Sequence, residues 1–253
     1  VPLAGSVSRL EKLLRAEFSR LERQAIQVLA GASLERARSE EEPLEVDPAA
    51  PLDKRRLAPL LILLGLFRAR QLAAAETVID EAFAVGRTQV LKRLRRPDAP
   101  EQPATAALPT VVLQRFRTDV LRLHSDLIAG TARSPGVERL VADSATVGAA
   151  VEALTALLDV ESFRLSMFAE ALVHAAWIAG FRSGAVDATV AALAAGEVPQ
   201  EFAWTGPDDT DTCQPCHDQF KKRVVARSLA DLPDPTTICE FGRACRHAWR
   251  VVN

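Results

Sequence analysis

Thr212-Cys213-Gln214-Pro215-Cys216-His217 and, further along, Cys239-Glu240-Phe241-Gly242-Arg243-Ala244-Cys245-Arg246-His247 hold every cysteine of this 253-residue chain. All four fall in the last 41 residues and none in the 212 before them, so they argue for one local site. A Cys-x-x-Cys turn puts two thiols on one side of a tight loop, and a second pair from a distant segment completes a tetrahedron. Four thiolates suit Zn2+, which has no redox chemistry to damage them. The expected metal ligands are therefore Cys213, Cys216, Cys239 and Cys245, with structural zinc as the cofactor. Buried thiols or two disulfides are the alternative, and His217 or His247 can stand in for a cysteine, Cys239 being the least regular of the four in its spacing.

Around these cysteines the sequence has a texture of its own. From residue 199 onward Pro199, Gly206, Pro207, Pro233, Pro235 and Gly242 crowd the chain, so turns and short strands are expected. Phe202–Thr205 and Ala248–Val252 are short apolar runs able to pair and close the region. Burial alone stabilises so small a loop-rich module poorly. Structural zinc contributes on the order of 10 kcal/mol or more to such folds, and without metal the module is expected to unfold.

Upstream the chain reads as helix. Apolar residues recur at helical spacing from Ser6 to Gly31, and longer tracts run from an Asp53 N-cap to Arg96, then Thr110–Thr131, Val137–Val160 and Glu161 to about Ala195. Glu40, Glu41, Glu42, Pro43, Glu45, Asp47, Pro48 and Pro51 between the first two read as an acidic mobile linker. Ser134-Pro135-Gly136 is a firm break. The expected fold is mainly α: an extended helical body with a small C-terminal zinc-binding α+β module of short strands. The expected division is 1–52 for the N-terminal helix and linker, 53–198 for the helical body and 199–253 for the module.

A net charge of −2 gives no global attraction to nucleic acid or anionic lipid. The uncharged run Leu57–Phe67 is too short for a bilayer, which takes about 20 such residues, so no membrane span is expected. No basic region and apolar core open the sequence, and a reducing compartment is the expectation. The basic run Arg87, Lys92, Arg93, Arg95 and Arg96 reads as a solvated helix end, with phosphate contact as the rival. Lys221, Lys222, Arg223, Arg227, Arg243, Arg246 and Arg250 are matched by eight acidic residues in the same region, which favours a mixed-charge protein interface over a phosphate grip. Neither His124 nor His174 is followed by Glu at the second position, which excludes the nucleobase deaminase pattern. No βαβ pattern surrounds Cys-x-x-Cys, which weakens a thioredoxin-like reading.

Taken in order, the helix over Ser162–Val186, the segment Phe202–Cys216 and the closing Cys239–Val252 resemble the phage Mu F-like head morphogenesis family of minor capsid proteins. In that family a helix carrying Arg, Glu, Ala and Gly at set intervals leads into a Trp-containing strand. An Asp-x-x-x-Cys-x-x-Cys turn, a closing Cys-Arg and a final apolar strand follow. The corresponding positions are Arg164, Glu170, Ala176, Gly180, Trp204, Asp209, Cys213, Cys216, Cys245 and Arg246. Two features depart from it: the usual His-Pro-x-x-Cys approach is replaced by Cys239 and a five-residue gap, and His217–Lys222 contains no glycine.

The resemblance implies a non-enzymatic minor head protein of the virion, assembled in the host cytoplasm. Its partners would be the portal protein and other capsid components, with packaged DNA and further copies of itself as additional candidates. It would assist capsid assembly and DNA packaging or ejection. On the residues alone, a nucleic-acid-binding zinc protein, and a zinc hydrolase or nuclease with a histidine ligand and an open coordination position, remain rivals. Glu170 reads equally as a buried, satisfied carboxylate or a solvated one, while His174 and Trp177 on its face read as core packing.

Overall fold

The computed structural model describes residues 4–39, 44–131, 134–240, 242 and 245–252. Glu40, Glu41, Glu42 and Pro43 of the acidic stretch, Arg243, and the side chain of Arg164 lie outside the described residues. The fold is mainly helical, with a small antiparallel three-stranded sheet near the C-terminal end. Long helices α1 (Ala4–Leu29), α3 (Leu57–Arg93), α5 (Leu108–Ala129) and α7 (Val147–Ala194) carry most of the chain. Short helices α2 (Leu34–Arg38), α4 (Pro103–Ala106) and α6 (Val137–Asp143) punctuate them.

Contacts group the chain into two compact units, one of residues 8–75 and 116–169, the other of 1–7, 76–115 and 170–253. This differs from three successive segments divided after 52 and 198. The reason is that α3, α5 and α7 each contribute one part to each unit, and periodicity along a helix does not reveal which half of it packs with what.

In the first of these units α1 buries Leu10, Leu14, Phe18 and Leu21, and α3 buries Leu60, Leu63, Leu64 and Phe67. Phe18 and Phe67 meet edge to face with centroids 4.7 Å apart. The expected break between helices at 160/161 is absent, and α7 runs unbroken through it. The chain instead breaks at 144–146, where neither Pro nor Gly marks it. Lys54 makes that break tenable, because its ammonium donates to the carbonyls of Val141, Ala142 and Ser144 at 2.6, 2.9 and 2.5 Å. Those are carbonyls a helix end leaves without partners.

Residues 44–53 are not the mobile linker expected of them. Gln27 holds Leu44 by both its amide and its carbonyl, Leu52 donates to Ala145, and Val147 and Gly148 donate back to Ala50 and Pro48. Asp53 caps the turn before α3 as expected, accepting from the Arg55 amide at 2.9 Å. The stretch Lys54–Arg93 is long and apolar enough to cross a membrane by length and composition, with a window of mean hydropathy 1.5. Counting the tolerated charges at Arg68 and Arg70 thus extends the apolar run beyond the uncharged Leu57–Phe67.

The second unit is built on the crossing of the later part of α3 with the later part of α7. A Cβ on Gly180 would lie 2.0 Å from the Phe83 carbonyl oxygen, one on Gly86 2.1 Å from that of Trp177, and one on Gly184 2.5 Å from Val90. Only glycine lets the two backbones come this close. Beside the crossing, Asp187 is buried and accepts from Arg87, Ser183, Thr105 and the Gln102 amide, with Arg87 Nη2 at 3.2 Å. Arg87 also donates to the Ala99 carbonyl, tying back the proline-bearing segment after α3. Arg87 is therefore no part of a solvated helix end, unlike exposed Lys92, Arg93 and Arg95. Breaking such a buried, fully bonded charge pair costs about 3–5 kcal/mol.

The sheet consists of β3 (Glu201–Thr205) between β4 (Arg223–Val225) and β5 (Ala248–Val251), all antiparallel. Trp204 pairs with Trp249 in the β3–β5 register, as the two apolar runs led us to expect, and β4 is the added strand. A two-residue antiparallel pairing of β1 (Gly130–Thr131) with β2 (Ser134–Pro135) lies at the expected Ser134-Pro135-Gly136 break.

Gly180→Ala is expected to lower stability by about 1–3 kcal/mol, since the added methyl must push two backbones apart. Gly65→Ala, with nothing within 4 Å of its Cβ position, is expected to be neutral or stabilising by up to about 1 kcal/mol. Urea denaturation of both variants checks the contrast.

Candidate metal centre

Each cysteine is delivered by a turn held by backbone hydrogen bonds. Cys213 is extended and precedes the one-turn helix α8 (Gln214–His217), whose Pro215 fits an N-terminal position where no amide is needed. The amides of Cys216 and His217 both donate to the Cys213 carbonyl at 3.0 Å, which brings Cys216 round beside Cys213. On the other limb Asp234 caps α9 (Pro235–Ile238), accepting from the Thr236 amide at 2.9 Å, and Cys239 follows directly. The gap to Cys245 is taken up by tight turns: Gly242 donates to Cys239 and Cys245 to Gly242, with Gly242 at φ 55°.

The turns converge on one point. Cys213 Sγ lies 3.7 Å from Cys239 Sγ, and Cys216 Sγ 3.8 Å from Cys245 Sγ. Both are far beyond the ~2.05 Å of a disulfide. A tetrahedral ion with metal–sulfur bonds of about 2.3 Å has sulfur–sulfur edges of about 3.8 Å. All four thiols are buried and free of disulfides, Cys216 completely. Two sets of donors lie within 4.8 Å of one another: Cys213, Cys216 and Cys239; and Cys216, Cys245 and His247. The four cysteines and His247 thus form a cluster able to hold a metal ion.

Electrostatics point the same way. Burial, then the neighbouring thiols, pushes Cys216 far up, and burial pushes Cys245 up to about 11. Burial also opposes ionisation of Cys213, but the Glu240 and Cys216 amides and the Cys216 and Cys239 thiols outweigh it and hold that thiol below its usual value. Packed thiolates with no other cation among them repel, and a bound divalent ion removes that repulsion.

The surroundings fix the two limbs. The loop 207–212 knits itself through Thr212, whose hydroxyl donates to the Pro207 carbonyl at 3.0 Å, while Asp209 takes the Arg246 guanidinium in two bonds of 2.7 and 3.0 Å. Arg246 in turn holds the Asp209 carboxyl below the usual range, helped by the Asp211 amide and the Thr212 hydroxyl. On the Cys239 limb, buried Arg182 donates to the carbonyls of Leu232 at 2.5 Å and Leu229 at 3.2 Å, and Arg115 bonds Asp234 at 3.0 Å. Phe202, Trp204, Trp249, Ala226 and Leu232 share one apolar cluster with the cysteines and with Val90, Phe181, Ala185 and Val186 of the helix pair. The module is thus continuous with the core of its unit and is not a separate satellite.

The two histidines part company. His217 is exposed and bonded to Asp208 at 3.0 Å, away from the sulfurs, whereas His247 is buried with Nδ1 3.8 Å from Cys245 Sγ. Glu170 is exposed. His174 stacks on Trp177, and burial lowers its pKa. Arg182, Arg115 and Asp234 were not legible as a set, since they lie 52 or more residues apart in sequence apart from a helix cap at Asp234. Lys221, Lys222 and Arg223 are exposed, with Arg223 4.0 Å from Glu201 and Lys222 bonded to Gln219. No family model, curated protein or solved structure matches the chain.

The raised thiols set a pH signature for the metal-free chain. In the fold Cys245 keeps its proton up to about 11, whereas an unfolded cysteine loses it near 8.5. The stability these thiols contribute is therefore intact below about pH 8.5 and lost as pH rises toward 11. Metal-bound thiolates are already ionised, so the metal-loaded chain loses stability on the acid side instead, as protons displace the ion. Urea midpoints of chelator-stripped and metal-loaded protein from pH 5 to 11 are expected to show these opposite slopes.

Proposed function

We propose that this chain is a minor head protein of a phage or prophage, of the Mu F-like type, which associates with the portal and assists capsid assembly and DNA packaging or ejection. The observation that carries the reading is the placement of several motif positions around the cysteine turn. Asp209 and Arg246, 37 residues apart, form a two-bond ion pair beside the cysteine turn, and Trp204 pairs with Trp249 next to it. Gly180 lies at a helix crossing that admits no side chain, and Ala176 is buried on the same helix. Ala176, Gly180, Trp204, Asp209 and Arg246 are positions of the family's motif with a structural task here, whereas Glu170 of the same motif is exposed.

In this reading the metal is Zn2+, held by Cys213, Cys216, Cys239 and Cys245. The sulfur spacings fit its bond lengths, and an all-thiolate set favours it over the harder divalent ions. When bound it supplies a closed cross-link and no reaction. The two limbs it joins end in β3 and β5, so the zinc fixes the geometry of the sheet and of the mixed-charge surface around it. That surface is the proposed docking face toward the portal, with the helices giving extended area for assembly into a ring.

Co-expression with the neighbouring portal protein is expected to yield a complex on size exclusion containing about one zinc per copy of this chain. Asp209→Ala is expected to weaken that complex while leaving the helical circular dichroism unchanged. Loss of association with every capsid component, or salt-sensitive binding to DNA in its place, contradicts the reading.

A further inference from the structure

His247 is tightly positioned beside the sulfurs, and a closed four-cysteine centre gives it no task. Its ring stacks on Trp204 with centroids 6.0 Å apart and takes the edge of Phe220 at 5.5 Å. Gly206, at φ 151°, clears room for it: a Cβ there would lie 2.4 Å from the imidazole Cδ2. Nε2 is 2.7 Å from the Pro207 carbonyl oxygen. A carbonyl only accepts, so Nε2 carries the proton and Nδ1 keeps its lone pair. That lone pair lies with Cys216 and Cys245 inside the 4.8 Å donor set. A ring N–H given to a backbone carbonyl while the other nitrogen faces the metal is the arrangement in which histidine ligates.

We infer that the centre has five protein donors for four positions, and that His247 exchanges with Cys213 around a shared set of Cys216, Cys239 and Cys245. The choice of partners follows from the donor groupings and from what holds each limb. His247 is grouped with Cys216 and Cys245, so the thiolate it replaces is one of the other two. Cys239 sits on the limb held by buried Arg182 through the Leu229 and Leu232 carbonyls, whereas Cys213 follows the exposed loop 206–211 and is the thiolate that gives way. Cys213 and His247 belong to different donor sets, with Cys216 common to both. The exchange gives the metal two tetrahedral states, four-thiolate and three-thiolate-one-imidazole, which differ in which loop is released: 207–213 at one end or the start of β5 at the other. The inference rests on the metal-binding reading of the cluster and not on the proposed head-protein role.

Cobalt(II) titration of the full chain tests it. Wild type is expected to show tetrahedral d–d bands with strong sulfur-to-cobalt charge transfer. Cys213→Ser is expected to keep the tetrahedral bands, with charge transfer reduced by about a quarter, and to bind within about 10-fold of wild type. Cys213→Ser/His247→Ala and Cys216→Ser are expected to bind more than about 100-fold more weakly, beyond the 10–100-fold that loss of an outer partner costs. Equal affinity of Cys213→Ser and the double variant overturns the inference, as does Cys216→Ser behaving like Cys213→Ser. Should Cys213→Ser not fold, limited alkylation of the zinc-loaded native chain decides: modification at Cys213 with zinc retained in wild type and lost in His247→Ala supports the exchange, and zinc lost from both refutes it. A wild-type chain that takes up no cobalt or zinc refutes the metal reading itself, whereas four-thiolate binding with no role for His247 refutes the exchange alone.

Discussion

Four sulfur atoms held within 3.7–3.8 Å of their partners in a buried site form the constraint around which the second unit is arranged. Neutral thiols gain little from such packing, and thiolates repel unless a cation lies among them. The limbs that carry Cys213 and Cys245 adjoin β3 and β5, so the sulfurs and the sheet are tied through the same stretches of chain. From there the consequence reaches the helices, because Trp204, Phe202 and Trp249 share an apolar cluster with Phe181, Ala185 and Val90. The ends of α3 and α7 meet through Gly86, Gly180 and Gly184, where backbone contact replaces side-chain packing.

Charge pairs lock each limb to that frame. Arg182, buried, reaches across to the Leu229 and Leu232 carbonyls, and Arg115 secures the Asp234 cap ahead of Cys239. Burial lowers the Arg182 pKa, and Asp234 opposes that shift. Asp209 and Arg246 do the corresponding work at the exposed rim, where solvent screening makes them a matter of geometry more than of energy. Turns, caps and ion pairs thus act together in holding the cysteines side by side.

Much of this was visible in the residues themselves. The Cys-x-x-Cys spacing, the two apolar runs that become β3 and β5, the Asp53 cap and the helical periodicity of α1 are local signals, and local signals survive into the fold. What escaped depends on distant partners. Lys54 terminates α6 by bonding carbonyls 87 to 90 residues away, so no Pro or Gly was required at the break. Gln27 anchors Leu44, which made an acidic, proline-bearing stretch ordered over 44–53. Arg87 read as one of several solvated cations, yet its partner Asp187 lies 100 residues on. His247 was legible only as a reserve; its carbonyl partner at Pro207, 40 residues earlier, distinguishes it from His217. The grouping of helix halves into two units had no sequence signal at all.

Hydrogen exchange of the metal-loaded and chelator-stripped chain measures the central claim most directly, that a metal clasp on the four cysteines holds the β3–β5 sheet. Stripping the metal is expected to lower protection of the amides in 201–205 and 248–251, while the helix pair around Gly86 and Gly180 keeps its own. Unchanged protection of the sheet after complete metal removal would contradict it.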